Sequence, residues 1–292
     1  MPIEIYLLFL MDNYSNKEIE HNMRRRNLPT ILFSFLMLTS CSCSVFAPGN
    51  DSKYSPSNCE LKTNILNDKT MYWLGSSVTL GMESGEQAVA EYLKALDGIN
   101  YEKEAKSGTT LKGTLTDDSY VSRLISSKKF DKSQKIDAFI CQLSTNDAKK
   151  VNVSTFGEVS SLDTLDLEDF DIGTTIGAME YVINYVHETW NCPIYFYTNA
   201  YISDSGKKSI SHTLGSDYKK LIDLSYEVID KYNSVPNYQV RIIDMFDDEE
   251  FNDISDEKYE LYMFDAIHPT KAGYLEWWTP FFENYFLNEF GE

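Results

Sequence analysis

The sequence predicts an α/β fold, a single domain with a central parallel sheet that is covered by helices on both faces. Short apolar runs that favour strands lie at 70–74, 136–143, 193–199 and 239–245. Helical patterns alternate with these runs, at 86–97, 174–190, 217–233 and 270–288. Because consecutive parallel strands need a crossover that is usually a helix, this alternation is typical of a parallel sheet. About 250 residues follow the N-terminal leader, enough for one domain with a substantial core.

The last helical pattern, 270–288, contains a proline and many aromatic residues. Pro280 lacks a backbone N–H donor, so we expect the helix to kink or restart there. Its aromatic residues are Trp277, Trp278, Phe281, Phe282, Tyr285 and Phe286. We expect them to pack in the core, rather than to form a glycan-binding platform.

The N-terminus predicts export. A basic stretch, Met23-Arg24-Arg25-Arg26, precedes a largely apolar run at 28–38 that is too short to span a membrane. Leu38-Thr39-Ser40-Cys41 then resembles the lipobox of bacterial lipoproteins, which implies that Cys41 carries the lipid. The alternative is an ordinary cleaved signal followed by an incidental cysteine. Residues 1–22 fit no export signal, and a misassigned upstream start explains them most simply.

These features divide the chain into three segments. Residues 1–40 are an upstream extension with a lipoprotein signal peptide, residues 41–68 a polar tether, and residues 69–292 the α/β domain. We therefore expect the protein to be exported and to be anchored by lipid to the bacterial membrane, on its extracytoplasmic side.

The composition argues against several classes of ligand. The net charge of −19 disfavours nucleic acid and anionic headgroups, because phosphate binding relies on Lys and Arg. The cysteines form no Cys-x-x-Cys pair and there are only four histidines, so we expect no metal and no cofactor. Cys141 lies in an apolar strand and is expected to be buried. A disulfide between Cys59 and Cys192 is compatible with export, and the sequence leaves it open.

The segment Phe264-Asp265-Ala266-Ile267-His268-Pro269 places a carboxylate three residues before a histidine. On a tight loop, Asp265 would accept a hydrogen bond from Nδ1–H of His268 and leave Nε2 free to act as a general base. Such a base needs a nucleophile. Gly75-Ser76-Ser77-Val78-Thr79 directly follows a predicted strand, where a side chain reaches the ligand-binding edge of an open α/β sheet. The other histidines, His21, His187 and His212, have no comparable context.

Two more segments complete a pattern. Ser107-Gly108-Thr109-Thr110 is a turn of small residues, and Ser144-Thr145-Asn146-Asp147 follows an apolar strand candidate. In this order the four segments resemble the sequence blocks of the SGNH (GDSL) hydrolases, a family with a flavodoxin-like α/β fold. The resemblance implies that Ser77 is the nucleophile, that His268 is the base and that Asp265 orients it. It also implies an oxyanion hole formed by Ser77, Gly108 and Asn146, and it makes 69–292 the hydrolase domain.

The residue types fit this chemistry. A serine hydroxyl needs a base to take its proton as it attacks a carbonyl carbon. A glycine at position 108 lets a backbone N–H approach the reacting group without a Cβ. The amide of Asn146 donates hydrogen bonds, which a carboxylate cannot do.

Two positions depart from the family pattern, and two other architectures fail. Ser76 stands where the family has Asp, and Ser144 stands where it has Gly. The nucleophile elbow of α/β-hydrolases would require Gly at Thr79, and the chymotrypsin order would require the histidine before the serine. The presence of Ser76 or Ser144 in place of the family's residue can alter the geometry of its loop.

The expected function is a serine esterase that hydrolyses short-chain acyl esters, above all acetyl esters, through an acyl-enzyme. Its substrate would be a small-molecule or glycan ester at the cell surface or in the environment. The alternatives are a lipase or thioesterase of the same family and a non-catalytic surface binding lipoprotein. The acidic segment 157–171 is open to two interpretations, a lid or specificity loop and a solvated insertion.

Overall fold

A computed structural model describes residues 47–205 and 208–291 and confirms the predicted fold class. All five strands of its sheet are parallel and their spatial order is β2-β1-β3-β4-β5, which is the flavodoxin-like order. The strands are β1 (Thr70–Gly75), β2 (Asn100–Ala105), β3 (Ala138–Gln142), β4 (Ile194–Tyr197) and β5 (Val240–Ile243).

Helices cover both faces of this sheet. They are α1 (Ser77–Leu80), α2 (Val89–Asp97), α3 (Tyr120–Ser126), α4 (Thr175–Trp190), α5 (Leu214–Asn233), α6 (Glu249–Asn252), α7 (Asp256–Tyr262), α8 (Lys271–Gly273) and α9 (Thr279–Gly291). On one face, α2 contacts α9; on the other, α3 contacts α4, which in turn contacts α5. The helices divide between the two faces because the crossovers are right-handed. The chain moves in one direction across the sheet from β1 to β2 and in the opposite direction from β2 to β5, so the helices of these connections lie on opposite faces.

Four of the five strands coincide with predicted apolar runs, and β2 was not predicted. Its sequence, Asn-Tyr-Glu-Lys-Glu-Ala, is polar because β2 is an edge strand that pairs with β1 alone. Its side chains are half-buried or exposed, whereas all five residues of β3 are buried. Cys141 in β3 is fully buried, as predicted, and burial raises the pKa of its thiol.

The C-terminal helix is interrupted near Pro280, as predicted. A π-helical segment, Tyr274–Trp278, ends where α9 begins, and Pro280 lies in the first turn of α9. The two segments are continuous, since the N–H of Thr279 donates to the carbonyl of Tyr274 in the preceding π-helical turn. The aromatic residues of this region pack in the core: Trp278, Phe282 and Phe286 are fully buried, and Trp277 stacks on Phe251.

The described part of the expected tether, 47–68, is packed against the α/β domain. Three short 3-10 turns, Pro48–Asn50, Ser52–Tyr54 and Pro56–Asn58, lie along it. Tyr92 donates to the carbonyl of Tyr54, Lys62 pairs with Glu283, and Leu66 is fully buried. The predicted signal peptide, Cys41 and Cys43 lie outside the described residues.

Cys59 and Cys192 are both free thiols, so the structure does not contain the disulfide that the sequence left open. Cys192 is buried near the start of β4, whereas Cys59 is half-buried in the N-terminal segment. Within 47–205 and 208–291, no helix has the length and apolar character needed to cross a membrane.

The acidic segment 157–171 rests on the helix layer. The backbone N–H and hydroxyl of Ser160 donate to the carboxylate of Glu180 in α4, and Lys231 of α5 donates to Glu180 at 2.7 Å and to Ser160 at 2.6 Å. Lys231 lies near the C-terminal end of α5, which runs antiparallel to the strands and so ends at their amino edge. This placement favours a packed insertion over a lid at the strands' carboxyl edge.

Candidate active site

The candidate residues lie on loops that follow neighbouring strands of the sheet. Ser77 follows β1, Gly108 follows β2, and Asn146 follows β3. Because β1 lies between β2 and β3, the carboxyl ends of these strands meet at one edge. The chain also reverses its winding direction at β1 and β3, which is where open α/β sheets bind ligands.

Three of the predicted residues form a continuous hydrogen-bonded array. The Nε2 atom of His268 lies 2.8 Å from Oγ of Ser77, and its Nδ1 atom lies 2.8 Å and 3.0 Å from the two carboxylate oxygens of Asp265. Ser77 and His268 are 191 residues apart in the chain. The carboxylate of Asp265 only accepts hydrogen bonds, so Nδ1 of a neutral His268 carries the proton and Nε2 accepts from the serine hydroxyl.

The loop that carries His268 is shaped by Asp265 itself. Oδ1 of Asp265 also accepts the backbone N–H groups of Ile267 and His268, each at 2.8 Å, a local arrangement that Asp favours in turns. Burial alone would raise the pKa of Asp265, but the hydrogen bonds from His268 and these N–H groups outweigh it and lower the pKa. Asn199, after β4, donates to the carbonyl of Ile267 at 2.9 Å and so ties the loop to the sheet.

Ser77 is the first residue of α1, and its neighbour Ser76 points into the protein. Ser76 is fully buried, and its N–H and Oγ both donate to Oε1 of Gln142. Thr79 donates to the same oxygen with its N–H and its hydroxyl, at 3.3 Å and 2.9 Å. Four donors converging on one atom require that atom to be the amide oxygen. Gln142, the last residue of β3, therefore fixes the turn that presents Ser77.

The two departures from the family pattern belong to this buried network. Oγ of Ser144 lies 3.5 Å from Oγ of Ser76 and donates to the carbonyl of Thr109 at 3.0 Å. Both serines are fully buried. Ser76 and Ser144 thus join the loops after β1, β2 and β3 beneath the site rather than lining its surface.

The expected oxyanion donors lie on loops that are joined to each other. Nδ2 of Asn146 donates to the carbonyl of Thr109 at 3.0 Å, and because an amide has two N–H groups, one hydrogen remains for a ligand. Gly108 has a φ of +78°, and an added Cβ would meet no atom within 4 Å. Its left-handed backbone conformation favours glycine, and the expected approach of its N–H to a reacting group stays a prediction.

Arg123 on α3 holds the loop after β2 against the end of β1. Its guanidinium donates to the carbonyl of Gly75 at 2.9 Å and to Oγ1 of Thr109 at 3.0 Å. The side chain is buried, and this burial lowers the pKa of the guanidinium. Neither Arg123 nor Gln142 was predicted. A glutamine within the apolar run 136–143 was the sequence signal that could have revealed Gln142.

Asp147 connects the loops after β2 and β3 from below. Its carboxylate accepts from the N–H of Leu111 at 2.8 Å and from Oγ1 of Thr175, the first residue of α4, at 3.1 Å. The residue is fully buried, and burial raises its pKa from 3.8 to about 6, although the hydrogen bonds oppose the shift. Asp147 therefore positions the loop of Gly108 relative to Asn146.

This shift predicts how stability depends on pH. Because the pKa of Asp147 is raised in the folded state, its contribution is fully present below pH 3.8 and is lost as the pH rises through about 6. We expect the wild-type protein to lose roughly 3 kcal/mol over this interval relative to Asp147→Asn. Urea unfolding of both proteins across the interval measures the difference between their free energies of unfolding.

This subtraction is necessary because burial also raises the pKa of Asp97 to about 6, and Asp97 is present in both proteins. A difference that is constant with pH would contradict the assignment.

The other described histidines lie apart from this array. His187, in α4, stacks on the ring of Tyr238, with ring centroids 4.0 Å apart. His212 lies in the loop before α5. Among the described residues, no group of three or more His, Cys, Asp or Glu side chains is arranged to hold a metal ion.

Fold and site together define an α/β protein whose sheet edge carries a serine–histidine–aspartate array. No family model matches the sequence, and no curated protein matches it. One solved structure superposes with a TM-score of 0.56 at 23% identity, over 75% of this chain and 98% of the other. A protein from Lactobacillus plantarum gives 0.55 at 19%, over 75% and 96%.

A carbohydrate acetylesterase family member from Sinorhizobium meliloti is a looser match. It superposes with a TM-score of 0.48 at 15% identity, over 77% of this chain and 100% of the other. The first two similarities support the fold, and no argument rests on the third.

Proposed function

We propose that the protein is a serine esterase of the SGNH type. The observation that carries this proposal is the array in which Oγ of Ser77 lies 2.8 Å from Nε2 of His268, while Nδ1 lies 2.8 Å from Asp265. These distances lie within the reach that a nucleophile, its base and an orienting acid require.

In the proposed reaction, Ser77 attacks the carbonyl carbon of an ester while His268 takes the hydroxyl proton at Nε2. The tetrahedral intermediate carries its negative charge on oxygen, where the N–H groups of Ser77 and Gly108 and the amide of Asn146 would donate. His268 then returns the proton to the leaving alcohol, and the C–O bond to the alcohol breaks. Water then attacks the carbonyl carbon of the acyl-enzyme while His268 takes its proton. His268 returns that proton to Oγ of Ser77 as the acyl C–O bond breaks, which releases the carboxylic acid.

A fluorophosphonate probe tests this proposal directly, because it reacts with an activated serine. We expect the wild-type protein to be labelled and Ser77→Ala to remain unlabelled. Ser76→Ala is the matched control: it removes the adjacent buried hydroxyl, should cost about 1 kcal/mol of stability and should still be labelled. An unlabelled wild-type protein would support the alternative of a non-catalytic binding lipoprotein.

The proposed substrates are short-chain acyl esters, with acetyl first, on cell-surface or environmental glycans. A net charge of −19 favours neutral substrates over phosphate-bearing ones. Glu83, close after the nucleophile helix α1, adds a local carboxylate. The pKa of Glu83 is raised above its ordinary value, mainly by burial. The charge of His268 opposes this rise and the charge of Asp265 adds to it, so Glu83 interacts electrostatically with the array.

A lipase or thioesterase remains a second candidate because of Met82. Its side chain is 47% exposed, and its sulfur accepts from Oγ of Ser107, next to Gly108, at 2.9 Å. An exposed apolar side chain beside the oxyanion loop would stabilise a longer acyl chain by about 0.8 kcal/mol for each CH₂ that it covers. In addition, Ser76, Thr79 and Ser144 are buried beneath the site, so their hydroxyl groups do not make its surface polar.

A series of p-nitrophenyl esters from acetyl to dodecanoyl distinguishes the two. We expect kcat/KM to peak between acetyl and butyryl, since a longer chain gains binding energy only where an apolar surface receives it. Acetylated xylan and peptidoglycan are assayed alongside. A maximum at octanoyl or longer that is lost in Met82→Ser would instead establish the second candidate.

We further propose that Cys41 is lipidated and that the protein is exported and anchored on the extracytoplasmic side of the membrane. The basic and apolar leader with its lipobox supports this proposal. In a bacterial host, the wild-type chain should fractionate with membranes and carry diacylglycerol, and Cys41→Ser should carry none. A soluble, lipid-free wild-type product that is cleaved elsewhere would refute the anchor.

A further inference from the structure

The N-terminal turn Pro48–Asn50 is wedged against the segment that follows His268. Gly49 is buried, and a Cβ added to it would lie 2.0 Å from the carbonyl oxygen of Leu261 and 2.3 Å from Oγ1 of Thr270. No side chain fits in this space. The turn therefore lies in direct contact with the chain two residues beyond His268.

Asn50 joins the two loops that carry the proposed nucleophile and base. Its Nδ2 donates to the carbonyl of Glu83 at 2.6 Å, and its Oδ1 accepts the backbone N–H of Lys271 at 2.9 Å. Glu83 lies shortly after α1, which begins at Ser77, and Lys271 lies just after His268. One side chain thus connects both halves of the site.

The loop of Glu83 borders the site on both sides. Its Met82 contacts Ser107, and Cε of Lys271 lies 4.0 Å from where a Cβ on Gly85 would stand. Asn50 thus fixes a loop that extends from the oxyanion loop to the histidine loop. Tyr92 and Gln87 in turn hold the N-terminal segment, through the carbonyl of Tyr54 and the hydroxyl of Ser55.

A second hydrogen bond joins the same two halves in the protein interior. Tyr274 donates to the carbonyl of Val78 at 2.7 Å, and both groups are buried. The bonds of Asn50 supply a second point of attachment.

We propose that Asn50 is a positioning residue, which holds the loop after Ser77 and the loop after His268 at the separation that proton transfer needs. The proposal rests on the proposed esterase function. It makes 47–58, part of the expected tether, a component of the catalytic domain.

The test compares three full-length variants with the wild-type enzyme. Asn50→Ala removes both bonds, and Asn50→Asp keeps the size of the side chain but loses the N–H donor to Glu83. Asn58→Ala is the matched control, because Asn58 lies in the same segment and its amide donates to Ser52 within that segment. Hydrolysis of p-nitrophenyl acetate, fluorophosphonate labelling rate and melting temperature are measured for each.

We expect both Asn50 variants to lose about 10- to 100-fold in kcat, since a displacement of about 1 Å can have that effect. KM should stay within about twofold, the melting temperature should fall by no more than about 8 °C, since at most two hydrogen bonds are lost, and the labelling rate should fall with kcat. Asn58→Ala should match the wild type. Restoration of kcat by Asn50→Asp would show a packing role and overturn the proposal, as would equal loss in Asn58→Ala or unchanged kcat in Asn50→Ala. A wild-type protein without activity or labelling would refute the esterase function as well.

Discussion

Ser77→Ala is expected to reduce kcat for a short p-nitrophenyl ester by roughly a millionfold, to the residual rate that the oxyanion hole and substrate binding supply alone. The variant has no hydroxyl within reach of Nε2 of His268, which lies 2.8 Å from Oγ of Ser77 in the wild-type protein. His268→Ala should cause a loss of similar order, because the hydroxyl is then left without a base. The double variant should be no worse than either single variant, since the two groups act as a unit.

Steady-state kinetics and mass spectrometry of the acyl-enzyme measure these effects. Ser77→Ala should keep the melting temperature of the wild type within a few degrees, because only the Ser77–His268 hydrogen bond is removed, which is worth about 1 kcal/mol. His268→Ala should lower it further, because the hydrogen bond to Asp265 is lost as well. Wild-type activity in Ser77→Ala would contradict the assignment of Ser77 as the nucleophile. Full loss in Ser77→Ala with undiminished activity in His268→Ala would assign the base to another residue.

Asp265→Asn is expected to lower kcat by roughly ten-thousandfold. The asparagine amide can donate an N–H to Nδ1 of His268, and this favours the tautomer that carries its proton on Nε2. A protonated Nε2 cannot accept the hydroxyl proton of Ser77. Asp265 also accepts the N–H groups of Ile267 and His268, so the variant disturbs the loop as well. Because of this double role, Asp265→Ala should also lower kcat strongly.

The same kinetic assay, with Asp223→Asn as the control, measures this effect. Asp223 is an exposed carboxylate on α5, so its substitution changes the net charge equally without touching the array. The lowered pKa of Asp265 keeps its carboxylate ionised below pH 3.8, and its contribution is lost only as the pH falls further. A loss of less than tenfold in Asp265→Asn would show that another group orients His268.

Local patterns determined much of what the sequence revealed. Strands β1, β3 and β4 were visible as apolar runs, because central strands of a parallel sheet are buried on both faces. Of the two edge strands, β5 was visible because three of its four residues are apolar, and β2 was missed because its half-buried and exposed side chains are mostly polar. The pairing of Asp265 with His268 was predictable since both residues lie on one turn.

Long-range contacts were decided by the tertiary structure. The hydrogen bond from Ser77 to His268 joins positions 191 residues apart, and only a resemblance to other proteins suggested it beforehand. Gln142 beneath Ser76 and Asn50 between Glu83 and Lys271 left no pattern in the chain that identifies their partners. Periodicity and turn chemistry act over a few residues, so they determine which elements form and what each loop carries. Which loops meet is determined by the order of the strands, because that order sets which carboxyl ends are neighbours at the edge of the sheet.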